Sequence, residues 1–215
     1  MSISVQSYPV PNETQRPNRR AESKARTRQK VLDAAKRLFM ARGYEGATMR
    51  DMAAEAGLST GALFANFTDK ADLFNEVMLA DFEVQHERMR EVLEDANGKV
   101  EERLVALLSA GYDFHLSQLP LLQAGISVSW SQGLNGELGE RPAWRTVLGF
   151  LTEILEQGVA KKELKKDFDR ELLAEVLWDC YLANYRRALF AEWGLEQLKE
   201  RLREQVRLIL RAVKV

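Results

Sequence analysis

The stretch from Thr48 to Phe67, TMRDMAAEAGLSTGALFANF, decides the fold. Thr48 has the hydroxyl of an N-cap, and Asp51 three residues on supplies the matching acid. Gly57 ends the short helix where a left-handed residue costs least, and Ser59 caps the next one. Met49, Met52 and Ala53 fall inward on the first helix, Leu63 and Phe67 on the second, and Leu58 is buried beside the turn. Ala53 is small and lies four residues before the glycine, so the two helices can cross closely. A helix-turn-helix of this kind suits the DNA major groove: Ser59-Thr60-Gly61-Ala62 offers hydroxyls, bare backbone and a methyl group to base edges. The plainer alternative is a helical hairpin inside a bundle.

Outward from this stretch the pattern stays helical. Apolar residues recur every three or four positions, and no proline occurs from 18 to 119 or from 143 to 215. A helix from Thr27 to Arg42 buries Val31, Ala35, Leu38 and Phe39 and stops at Gly43. A long helix starts at Thr68 or Asp69 and runs to Ala96. Further helices are expected at Val100 to Gln118, Pro120 to Gln132, Pro142 to Lys162, Arg170 to Trp193 and Leu195 to Val213, with Pro120 and Pro142 in first turns. Gly133 to Pro142 is the one interior loop. The last helix carries a narrow seam of Leu195, Leu198, Leu202, Val206, Ile209 and Val213, fit to pack on a helix of the same chain or of a partner.

Composition narrows the class. The chain has 215 residues, 46% hydrophobic and 29% charged, with one cysteine, two histidines and a net charge of -1. A disulfide framework and a disordered chain are excluded. The lone Cys180 suits a reducing, cytoplasmic setting, and the first twenty residues, with Pro9, Pro11 and Pro17, read as a tail without a signal peptide. No apolar stretch is long enough to cross a membrane. The net charge hides a division. Residues 1–75 hold twelve Lys and Arg against eight Asp and Glu, a balance of +4, and the remainder carries -5. One end favours polyanions.

The run from Arg28 to Val77 resembles the DNA-binding domain of the TetR family of bacterial transcriptional regulators. The resemblance lies in Ala34, Ala35, Leu38 and Phe39 of the first helix, the Gly43-Tyr44 stop, Thr48, the AGLS turn of Ala56 to Ser59, Gly61, and Phe67 followed by Lys70 and Leu73. It implies an all-α protein: a basic arm over 1–22, a three-helix helix-turn-helix domain over 23–70, and a larger helical ligand-binding and dimerisation domain over 71–215. It also implies a homodimer on double-stranded operator DNA, released by a small-molecule effector. Thr48 and Lys70 are then expected at phosphates, Arg50 at a phosphate or in the groove, and Ser59, Thr60 and Gly61 at the reading end, with Thr60 and Gly61 on bases. Phe64 stands where the family commonly has Tyr, and Asn66 where it often has an aromatic residue or His; both positions usually touch the backbone, and Asn66 can still donate. Arg28 belongs to a basic run (Arg16, Arg19, Arg20, Lys24, Arg26, Arg28, Lys30) that either follows DNA or is a solvated tail.

The second domain offers an effector pocket between residues 100 and 185, with Tyr112, His115, Trp130 and Trp178 as candidate lining and core packing as the plainer reading. Gly111, Gly125 and Gly149, inside expected helices, would make room for a ligand or for tight helix crossing. No catalytic site, cofactor or metal is expected: Glu83-x-x-His86 is half of a di-iron signature whose second half is missing, which leaves His86 facing solvent and a bundle metalloenzyme as a distant alternative. An activator or ligand-independent regulator is the nearer one. Cys180 is expected to be an inert thiol rather than a redox switch.

Overall fold

The computed structural model describes residues 19–95, 97–131 and 142–215, apart from the side chains at positions 20, 129–131 and 142–144. Helices in chain order are α1 (Arg19–Gly46), α2 (Met49–Glu55), α3 (Thr60–Phe64), α4 (Lys70–Asp95), α5 (Val100–Leu116), α6 (Leu119–Ser131), α7 (Pro142–Ala160), α8 (Arg170–Ala191) and α9 (Leu195–Leu210). The chain is all-α, as its periodicity implied. The expected glycine loop, the side chains of Trp130 and Trp144, Arg16 and the first eighteen residues lie outside the described residues.

Local chemistry sets the boundaries. Helix α1 begins at Arg19, eight residues before the expected start and inside the span read as an arm, because Ala21 to Ala25 are good helix formers beyond the last proline of the tail. Gly43, at φ 69° and ψ 175°, breaks its helical path. Thr48 caps α2 by accepting from the Asp51 amide, and Ser59 caps α3 by accepting from the Ala62 amide. Gly57 between them sits at φ 71°, a conformation that favours glycine.

Two apolar cores divide the helices. The first holds Val31, Ala35 and Phe39 of α1, Met52 and Ala53 of α2, Leu63 of α3 and Phe74, Val77 and Met78 of α4. Leu121, Ala124 and Val128 of α6 join this core, so α6 helps close the core around the helix-turn-helix. The second core joins Met89 of α4 to α5, α7, α8 and α9. The seam of α9 is filled within the chain by contacts with α5 and α8, burying Leu198, Leu202, Val206 and Leu210. Past α9, Lys165 donates its amide to the Val213 carbonyl (2.8 Å), which pins the C-terminus to the α7–α8 connection.

Candidate functional site

The face of the head is made by α2 and α3. Leu63 is fully buried and Phe67 nearly so, which turns Thr60, Gly61 and Phe64 outward. Phe64 is 50% exposed, unusual for an aromatic ring, and nothing lies within 4 Å of where a side chain on Gly61 would begin. Arg50 is exposed on α2 and has no ion-pair partner among the described residues. A short helix thus shows two small polar or bare positions and one ring, with the exposed Arg50 on the neighbouring helix.

Other candidates on this face are already engaged. The Thr48 hydroxyl donates to Asp51 Oδ2 (2.8 Å), and the same carboxylate pairs with Arg42 (3.1 Å). Asn66 donates its amide to the Ala62 carbonyl (2.9 Å) and closes the end of α3. Lys70 donates to the Tyr44 carbonyl (3.0 Å) and lies over the Tyr44 ring (4.3 Å), fastening the start of α4 to the end of α1. Arg28 pairs with Glu76 (2.9 Å) and lies over Phe67 (5.0 Å). Arg19, Lys24, Arg26 and Lys30 stand exposed along the first turns of α1. The head is braced to the body by Lys36 of α1, which donates to Asp81 of α4 at 2.5 Å. Nothing in the sequence singled out that pair.

In the body, α5 and α8 enclose a polar network. Tyr112, Tyr181 and Tyr185 are buried to within 1%. Tyr185 donates to the Gly111 carbonyl (3.1 Å), which leaves its oxygen to accept from Tyr181 (2.5 Å) and from the Nδ1–H of His115 (2.9 Å). Tyr112 donates to the Tyr181 carbonyl (3.2 Å) and accepts from Asn184 (3.0 Å), whose amide also donates to Gln205 of α9 (2.7 Å). Gln85 of α4 reaches the Tyr181 hydroxyl at 3.5 Å. Burial pushes all three phenols above their ordinary range and drives His115 down to about 4, so its imidazole is neutral at pH 7.

The structure therefore brings Tyr112, His115 and Trp178 together, with Trp178 stacked on Tyr181 at 5.2 Å. Gln85, Tyr185 and Gln205 complete the network without having been singled out. The i, i+4 spacing of Tyr181 and Tyr185 was the available signal. Gly111 is explained by close approach: a Cβ there would lie 2.2 Å from the Tyr181 hydroxyl. His86 does not face solvent as expected. It is half-buried, with its ring between Phe82 (6.3 Å) and Phe150 (6.4 Å), because its side of α4 turns to α7. Burial pushes the half-buried Cys180 thiol up, away from the reactive thiolate.

Comparison with known proteins follows the same division. Residues 31–77 match the family described as bacterial regulatory proteins, tetR family. The transcriptional repressor AcnR of Corynebacterium diphtheriae is 45% identical over 74 residues, covering 34% of this chain and 36% of that protein. The chain thus matches only about a third of the length of such relatives. The repressor KstR2 of Mycobacterium tuberculosis is 24% identical over 155 residues, covering 71% and 76%. Among solved structures, FadR of Bacillus subtilis, in complex with stearoyl-CoA, overlays with a TM-score of 0.71 at 20% identity, covering 83% of this chain and 96% of that one. At that identity the likeness concerns the fold.

Proposed function

The chain belongs to the tetR family of bacterial regulatory proteins, and from that premise we propose that it is a ligand-responsive transcriptional repressor that holds a near-palindromic operator as a homodimer. It is a DNA-binding regulator, not an enzyme. The observation that carries the proposal is the exposed face of α3 beside the unpaired Arg50. Thr60 and Gly61 meet base edges, and Phe64 packs on the sugar-phosphate backbone. Arg50, Ser59, Thr48 and Asn66 serve phosphates, while Lys70 and Arg28 add charge from positions where they also brace the head.

A two-fold dimer would set its two α3 helices about one DNA turn apart, roughly 34–36 Å. Support for the dimer comes from apolar side chains on one stripe of α8, where Leu172 is 56% and Phe190 73% exposed with Val176 between, and from Leu208 on α9. The effector is small and largely apolar or aromatic, and it competes for the ring faces and hydrogen bonds around Tyr112, His115 and Trp178. FadR with its stearoyl-CoA is a precedent on the same fold. A change there reaches α4 through Gln85 and the head through the Lys36–Asp81 brace and α6. Release follows only if the ligand prefers the conformation that does not bind DNA.

Selection from random duplex DNA with the purified chain tests the proposal. Enrichment of a sequence with two-fold-related half-sites is expected. Recovery of no preferred sequence would contradict it.

A further inference from the structure

Arg103, on the first turns of α5, carries its guanidinium at 6% exposure. Buried charges in proteins are ordinarily paired, because desolvation is costly. Here no carboxylate lies within 4 Å of Arg103 among the described residues. One Nη donates to Gln157 Oε1 of α7 (2.6 Å), and the buried Nε has no partner.

The nearby acids are committed elsewhere. Glu153 accepts from Gln157 Nε2 (3.0 Å), so a neutral amide stands between that carboxylate and the guanidinium. Glu102 accepts from the Lys99 amide (2.9 Å), and Glu163 from the Val100 amide (2.8 Å). The arginine also lines a groove of about 490 Å³ between the end of α4, the α4–α5 connection and α7. That size suits a small molecule. At its rim stand Arg90, Lys161 and Asn97, opposed by Glu94 and Glu153. Arg90 is held by Glu87 (2.5 Å), whereas Lys161 has no ion-pair partner among the described residues.

We propose that this groove binds a small oxyanion, the carboxylate or phosphate group of a metabolite, with Arg103 as its anchor and Lys161 as its rim cation. A guanidinium with donors to spare matches the paired oxygens of either group. The inference is independent of operator binding, since it concerns only what neutralises Arg103.

Calorimetric titration of the full chain with inorganic phosphate and, separately, acetate, at ionic strength held with chloride, tests it. Saturable binding of at least one anion is expected, weakened at least tenfold in Arg103→Gln and at least threefold in the exposed-site variant Lys161→Glu. Which anion saturates identifies the group, phosphate or carboxylate. No saturation by either anion, or saturable binding retained by a folded Arg103→Gln, overturns the proposal. If circular dichroism shows that Arg103→Gln does not fold, Lys161→Glu decides: weakened binding supports the site, unchanged binding overturns it.

Discussion

Phe64 shows how one atom separates packing from recognition. Its half-exposed ring can lie on a DNA backbone but cannot donate to it. Phe64→Tyr restores a donor, and in the proposed complex should tighten operator binding by about 0.5–1.5 kcal/mol per protomer, read as a lower Kd in equilibrium titration. An unchanged or higher Kd would place the ring away from the phosphates. Lys70→Ala should weaken binding to all sequences about equally and also lower thermal stability, because its ammonium holds the Tyr44 carbonyl. His115 gives a pH signature of the body. Burial depresses its pKa from 6.5 to about 4, so its contribution to stability is complete above pH 6.5 and is lost as pH falls towards 4, where the unfolded chain takes up the proton first. The span corresponds to at most about 3 kcal/mol. Denaturation of His115→Gln across this window should show a shallower loss than the parent chain; parallel curves would mean that His115 protonates freely in the fold.

Helix ends were the most legible elements. Gly43, Gly57, Ser59, Pro120 and Pro142 mark breaks or starts through local backbone chemistry, and the structure places them there. Helix partners were not legible. Leu121, Ala124 and Val128 announce a buried face on α6, but periodicity cannot say that the face closes the core of the head. The interior glycines divide for the same reason. Gly111 lies under the Tyr181 hydroxyl, a side chain held from several directions, and Gly149 has open space where a Cβ would go. Gly111→Ala should therefore destabilise the fold by about 1–3 kcal/mol through overpacking, whereas Gly149→Ala should stabilise it by about 0.5–1 kcal/mol through helix propensity. Chemical denaturation of the two variants measures both. Equal effects would show that helix propensity, rather than the tyrosine contact, governs both positions.

At the scale of the molecule, the charge division visible in the sequence is reshaped by pairing. Within the head, Arg28, Lys36, Arg37, Arg42 and Lys70 are held by carboxylates, which leaves Arg50 and the first turns of α1 as the positive surface without ion pairs among the described residues. The sequence thus marks the more basic end, and the fold adds which of its cations are paired. The apolar stripe of α8 gives the expected dimer its test. Leu172→Glu combined with Phe190→Glu should yield a folded monomer by analytical ultracentrifugation, with operator binding lost; a dimer that survives would place the interface elsewhere. Helix α4 belongs to both cores, so an event at Gln85 has a continuous route to the head. In the proposed complex, α3 reads base sequence on a phosphate-held frame. The direct measurement is titration of a selected duplex by the parent chain and by Thr60→Ala at about 50 and 200 mM salt. The parent should lose roughly 10³-fold or more in affinity between the two salts, and Thr60→Ala should change which half-site bases are preferred while keeping the salt slope. A shallow slope, or base preferences untouched by Thr60→Ala, would contradict the account.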